Sequence, residues 1–183
     1  MSTPPVPGAS TGLRLRPLNP DTAADVAAVA GLIDADPGYT QRAAGRNPES
    51  GDAECLLRDA PPGVGPDDKV VLGAFEKDRL VAVVDLIRGW PTSGTTLVGL
   101  LQVHAGHQGR GLGRTVHDLT LAWVTRNWPE TRAMRAVIVA ANAPHADPFW
   151  RAMGYQPQGD PVTYTAARVQ TTAQAWVRPS SGV

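Results

Sequence analysis

The chain has 183 residues, 42% of them hydrophobic and 19% charged, and its 17 basic and 17 acidic side chains cancel to a formal net charge of zero at pH 7. That length holds one domain with a real core but not two ordinary ones, and the balance argues against both a disordered polyampholyte and a strongly basic nucleic-acid binder. A single cysteine, Cys55, excludes an internal disulfide, a cysteine zinc cluster and a CxxC redox pair, and suits a reducing cytoplasm.

No basic region followed by an apolar run opens the chain, and no stretch of about 18 apolar residues could span a bilayer. A soluble, cytoplasmic protein without a membrane partner is expected. All basic residues except Lys69 and Lys77 are arginine, but they are scattered, which fits compositional bias better than a phosphate-binding cluster.

Residues 1–12 hold almost no large apolar groups and are expected to be a flexible tail. One domain should run over 13–178, with a short tail at 179–183. Leu13 to Leu18 alternates apolar and polar residues and predicts a first strand, ended by Asn19-Pro20. A helix over Ala23 to Ile33, capped by Asp21 or Thr22, is stopped at Asp36-Pro37-Gly38, and a second runs from about Ser50 to Asp59. Val70 to Phe75 and Leu80 to Ile87 read as a buried hairpin, followed by an antiparallel strand over Thr95 to Val103. Leu112, Val116, Leu119 and Trp123 line one face of a helix that ends near Asn127. A strand over Met134 to Ala140 precedes a brief helix with Asp147 as cap, Pro148 as first residue and Gly154 as stop. Tyr155 and Val162 to Val169 finish the sheet as a further hairpin or pair of strands. The predicted class is α/β with a mixed sheet covered by helices.

The sharpest chemical signal is Gln108-Gly109-Arg110-Gly111-Leu112-Gly113-Arg114, between a strand and a helix. Glycines let successive N–H groups turn inward together, and the helix start adds unpaired donors, so the site prefers an anion such as a pyrophosphate. A Walker loop fails here, because Arg114 stands for its lysine and Gln108 for its first glycine; a dinucleotide fingerprint fails at Arg114.

Gln108, Gly111 and Gly113 resemble motif A, Gln/Arg-x-x-Gly-x-Gly/Ala, of the GCN5-related N-acetyltransferase (GNAT) superfamily. Leu101-Gln102-Val103 upstream and Asn142, Trp150 and Gly154-Tyr155 downstream stand where the family has its fourth strand and its Asn, Tyr and Gly-Phe motif. The resemblance covers about Leu13 to Val169. It implies a mostly antiparallel sheet whose fourth and fifth strands splay to admit acetyl-CoA. Coenzyme A would lie along Leu101, Gln102 and Val103, with its pyrophosphate on the amides of Gln108, Gly109, Arg110, Gly111, Leu112, Gly113 and Arg114, and with Asn142 and Trp150 beside it. A homodimer is an expectation from the family alone.

The activity so implied is N-acetylation of a primary amine, on a small molecule or a peptide, by direct attack through a tetrahedral intermediate. The alternative is an acyl-CoA-binding sensor that has lost efficient catalysis, because Trp150 stands where many family members have a tyrosine that protonates the leaving thiolate. A backbone N–H near Val103 and His104 could meet the developing oxyanion. Candidate catalytic bases are Asp85, in an apolar strand, and His104, at the end of the fourth; Glu54 is weaker. Acceptor-side residues on the family pattern are Tyr39, Arg42, Arg46 and Arg88 to Trp90. His104, His107, His117 and His145 share no ligand spacing, so no metal is expected, and Cys55 has no activating base nearby. Zero net charge and no stacking platform leave no nucleic-acid partner.

Overall fold

A computed structural model describes residues 12–166 and 169–180. The tail expected at 1–12 lies outside the described residues except for Gly12, and so do 181–183 of the C-terminal one. The elements are β1 (Leu13–Pro17), α1 (Ala23–Ala35), α2 (Pro37–Ala44), α3 (Asp52–Arg58), β2 (Lys69–Glu76), β3 (Arg79–Arg88), β4 (Thr95–Val103), α4 (Leu112–Asn127), β5 (Ala133–Val139), α5 (Ala143–Ala152), β6 (Gln156–Ala166) and β7 (Val169–Pro179). Seven strands form one sheet in the order β1-β2-β3-β4-β5-β7-β6. Every neighbouring pair is antiparallel except β4 and β5, which α4 connects in parallel.

The period-two alternation of β3 divides the core. Ala82, Val84 and Leu86 join Val116 and Val124 of α4 and Trp150 of α5 on one face. Val83 joins Val29, Leu32 and Ile33 of α1 and Leu57 of α3 on the other. No helix among the described residues is long and apolar enough to cross a membrane.

Three local readings are corrected or extended. α1 ends at Ala35 as Asp36-Pro37-Gly38 implied, but an unexpected helix follows: Pro37 opens α2 at its first turn, where its missing N–H costs nothing, and Gly45 closes it in the left-handed region at φ 67°. The last helix begins at Ala143, ahead of the expected cap Asp147, so Pro148 falls inside it. The final pair of strands, β6 and β7, is as expected in kind but longer, eleven residues each, than the stretch Val162 to Val169, of which 167 and 168 lie outside the described residues. In α4 the buried residues are Val116, His117, Thr120 and Val124, while the expected face residues Leu112, Leu119 and Trp123 are only partly covered. Thr120 can occupy a core position because its hydroxyl donates to the Val116 carbonyl at 2.8 Å.

β1 is tied to α1 by a bidentate pair, with Arg16 Nη2 2.6 Å from Asp25 Oδ1 and Nη1 3.0 Å from Oδ2. The Asn19 N–H also donates to Oδ2. The guanidinium, with help from that N–H, holds the Asp25 carboxyl below its ordinary range against the opposing effect of burial. A folded pKa below the unfolded value of about 3.9 stabilises fully above that value and is lost as pH falls through the folded one. Asp25→Asn should therefore lower stability at pH 7 by on the order of 1 kcal/mol, Arg16 being half in solvent. The gap to wild type should close below about pH 4, read by thermal melts across pH.

Candidate active site

Pairing between β4 and β5 runs only from Thr95 opposite Ala133 to Val98 opposite Ala136. Beyond it, Gly99 to Val103 of β4 and Val137 to Val139 of β5 run on without each other, which opens a gap inside the sheet. The register of β3 on β4 slips at the same point: Asp85 faces Leu100 and Leu86 faces Val98, so Gly99 is the extra residue of a bulge. A bulge bends its strand, which carries β4 away from β5. Glycine is required there, because a Cβ on residue 99 would stand 2.5 Å from Asp85 Oδ2.

The edge left bare by this divergence is polar. The His104 N–H donates to the Val81 carbonyl at 2.9 Å, and alternation of an antiparallel ladder turns Leu101 and Val103 the other way, into the gap. The expectation that a free N–H lies near Val103 and His104 thus holds for Val103 only, the His104 amide being taken by β3.

At the open end of the gap the chain makes a short 3-10 turn at 105–107 and enters the glycine loop. Gly109 and Gly111 have φ of 73° and 76°, conformations that side-chain-bearing residues rarely adopt. Among the described residues, no protein group accepts from the amides of Gly109 through Arg114, and the first helical bond of α4 is Thr115 N–H to the Gly111 carbonyl. Gln108 differs from the loop that follows it: its N–H donates to the Ala105 carbonyl, and its side-chain amide braces the loop against the Val103 carbonyl at 2.9 Å and Asp36 at 3.1 Å. The Gly113 Cα lies against Phe149 of α5, since a Cβ there would be 3.1 Å from the ring. Arg110 is exposed, and Arg114 reaches the Ala152 carbonyl.

Asn142 follows β5 on the opposite edge of the gap and accepts from Arg42 Nε at 2.8 Å. Trp150 packs in the core beneath α5. It is buried against Tyr155, Phe149 and His117, with ring centroids 4.8, 5.2 and 6.3 Å away. His117 is buried too, its Nε2 3.3 Å from the Tyr155 hydroxyl, and burial holds its pKa down.

On the α1 face of the sheet, Asp85 is the buried acid nearest the gap, facing Leu100 beside the bulge at Gly99. Lys69 Nζ lies 2.6 Å from its Oδ1, both side chains being nearly buried. Burial raises the Asp85 pKa and Lys69 works against that rise. Tyr39 of α2 stands close enough to feel Asp85, Tyr164 of β6 and Arg42, and burial pushes its hydroxyl up to about 12. His104, the other expected base, sits farther along β4, where Nδ1 accepts from the Gly106 N–H and the ring meets that of His107 edge to face. Glu54 is exposed on α3, and the thiol of exposed Cys55 is pushed up by Asp59.

Of the expected acceptor-side residues, Tyr39 and Arg42 reach the gap. Arg46 is paired with Asp52, and Arg88 to Trp90 line a separate cavity of about 570 Å³ with Asp68 and Glu130 at the Thr95 end of β4. Lys69 and Tyr164 were not legible as site residues: only the register that sets Lys69 opposite Ile87 and Val71 opposite Asp85 puts the pair on one face.

A family model described as Acetyltransferase (GNAT) family matches residues 37–155. No curated protein matches the sequence. Among solved structures, an acetyltransferase from Thermus thermophilus superposes with a TM-score of 0.71 at 24% identity, over 91% of this chain and 96% of that one. The ribosomal-protein-S18-alanine N-acetyltransferase from Escherichia coli gives 0.63 at 13% identity, over 93% and 96%. A spermidine N-acetyltransferase chimera from Vibrio cholerae and hSSAT gives 0.67 at 16% identity, over 93% and 97%. At these identities the likeness is one of fold. Gly111→Asp, which puts a side chain on a left-handed backbone and a negative charge among the free amides, is expected to weaken coenzyme A binding more than about tenfold in calorimetry.

Proposed function

The chain belongs to the acetyltransferase (GNAT) family, and from that premise we propose that it moves an acetyl group from acetyl-CoA to a primary amine of a small molecule or peptide, with Asp85 as the base. The observation that carries this reading is the coincidence of three features at one gap: the unpaired β4 edge, the free amides of Gly109 through Arg114, and a buried carboxylate over the bulge where the strands part.

The residues present fit coenzyme A. Six consecutive amides without protein partners suit a diphosphate. The inward-turned amide and carbonyl of Leu101 and the N–H of Val103, whose carbonyl is taken by Gln108, suit an extended arm with amides of its own. When bound, acetyl-CoA supplies an activated acyl group as a thioester.

The protein must supply a neutral amine and an electrophilic carbonyl. An alkylammonium of pKa about 10.4 is neutral only about once in a few thousand molecules at pH 7. Burial beside Asp85 lowers the ammonium pKa and raises that of the carboxylate, so the two approach each other and proton transfer becomes less uphill. One ammonium proton would pass to Asp85, the freed amine lone pair would attack the thioester carbonyl carbon, and the C–S bond would then break with the second N–H proton passing to the departing thiolate or to water. The Val103 N–H, directed into the gap, can meet the charge that grows on the carbonyl oxygen. Trp150, packed in the core, does not reach the leaving thiolate as an acid; a thiol of pKa about 8.5 leaves acceptably without one.

Trp150 also supports the second reading, an acyl-CoA-binding sensor with weak or no catalysis. Thiol release from acetyl-CoA with a panel of amines separates the two: release with any amine supports the enzyme, and binding without release supports the sensor. Neither reading calls for a metal, nucleic acid or membrane; a homodimer and a cytoplasmic location accord with both. For the enzyme, Asp85→Asn should lower kcat/KM by about 10² to 10⁴ with acetyl-CoA affinity unchanged. The acid limb of the wild-type pH profile should lie above the ordinary aspartate value of about 3.9 and vanish in that variant.

A further inference from the structure

The three acids in close ion pairs with buried or half-buried side chains are Asp25, Asp52 and Asp85, and they differ in how many carboxylate oxygens are used. In Asp25 both oxygens are engaged, by Arg16 on each and by the Asn19 N–H. In Asp52 both are engaged as well, by Arg46 on each and by the Glu49 N–H. Each of these carboxyls is held below its ordinary range, as expected of a saturated structural ion pair. Asp85 breaks the pattern. Lys69 takes Oδ1, and no donor among the described residues takes Oδ2, which lies over the Cα of Gly99.

The partner is built to do this and little else. Lys69 begins β2 opposite Ile87, with its side chain on the face of Val71 and Asp85 and almost wholly covered. A lysine ammonium is a point donor that satisfies one oxygen, where an arginine fork would cover both. From other elements the titratable and charged groups nearest this face are Tyr39 of α2, which feels the Asp85 charge, and, acting on Tyr39, Arg42 and Tyr164. α1 turns only apolar Val29, Leu32 and Ile33 to this side of the sheet, its Asp25 being spent on Arg16 and its Asp34 exposed.

We propose that Lys69 is a positioning residue for acetyl transfer: by pinning Oδ1 of Asp85 it aims the bare Oδ2 at the bulge, where the acceptor amine gives up its proton. This rests on the transfer reading above. The step balances as written there, the amine N–H bond breaking and the new O–H bond forming on Oδ2. Lys69 keeps its own proton throughout. Its positive charge also keeps the carboxylate ionised in a setting that favours the neutral acid, and disfavours a second cation close by, so that the acceptor is pressed toward its neutral, nucleophilic form.

The test compares the pH profile of kcat/KM for wild type, Lys69→Met and Lys69→Arg, with acetyl-CoA affinity by calorimetry and with the Asp85 side-chain carboxyl followed by carbon NMR through a pH titration. Lys69→Met should move the acid limb and the carboxyl titration upward together by about one pH unit or more. Activity should fall at neutral pH and recover in part at higher pH, with acetyl-CoA binding unchanged. Lys69→Arg should return the limb toward its wild-type position while lowering kcat, because the fork competes for Oδ2. If Lys69→Met does not fold, Lys69→Gln, which can still donate to Oδ1 without a charge, carries the same expected shift. A folded variant with normal acetyl-CoA affinity and an unmoved limb overturns the proposal. If wild type binds acetyl-CoA yet acetylates no amine, it is the transfer reading that falls, and Lys69 has no acceptor amine to position.

Discussion

A main-chain amide or carbonyl inside a sheet has to be paired, and this molecule leaves a run of them without a protein partner at its centre. β4 abandons β5 after Val98 although both strands continue. An unpaired edge in the middle of a seven-stranded sheet is costly unless water or a ligand satisfies it. Gly99 makes the departure possible, since the bulge bends β4 and the missing Cβ admits the Asp85 carboxylate. The parallel arrangement matters equally. Because α4 returns the chain in parallel, the gap widens toward the C-terminal ends of both strands, and the glycine loop that starts α4 sits at its mouth. Edge, loop and helix terminus then form one continuous row of polar groups, which suits a long ligand with amides in its arm and phosphates at its end.

The two faces of the gap have different tasks. α4 and α5 close one side with an aromatic cluster around Trp150, Tyr155 and His117, and Phe149 lies on Gly113, where the loop passes into α4. α2 spans the other side and touches both margins, through Asp36 to Gln108 and through Arg42 to Asn142. Two polar contacts of this kind are worth about 0.5–1.5 kcal/mol each. A bound ligand can therefore exchange them for its own without disturbing the sheet.

How much of this the sequence disclosed depended on whether a signal was local. Apolar runs in Val70 to Phe75 and Leu80 to Ile87 located β2 and β3, and the glycine spacing located the loop, because the backbone at Gly109 and Gly111 is left-handed and Gly113 lies against Phe149. Pro37 did end α1 yet concealed α2, because a proline that stops one helix can open the next, and Pro148 misled because a short helix tolerated it inside. Trp150 looked like a cofactor contact by its offset from Gly154, but which side chain of Phe149-Trp150 turns inward depends on where α5 begins, and Ala143 was not its expected start. The Gln108 amide, expected among the anion donors, is taken by the Ala105 carbonyl, a 3-10 contact that no sequence window announces, and its side chain braces β4. The pairing of Lys69 with Asp85 was invisible because it joins residues in different strands through a register that no single window of sequence contains.

That pairing is also the feature stability explains least. Desolvating an ammonium and a carboxylate costs several kcal/mol per ion, and close-packed apolar residues in place of such a pair are often neutral or stabilising. The neighbouring positions show what the fold prefers there: Val71, Val83 and Ile87 surround the pair on the same face. Where the molecule needs an ion pair only to fasten one element to another, as with Arg16 and Asp25, it places the arginine partly in solvent and saturates both carboxylate oxygens. At Asp85 it does neither. A charge kept in the interior, half-satisfied and set over the one residue where the sheet opens, has the arrangement of a group held ready for a proton and not of a group holding strands together.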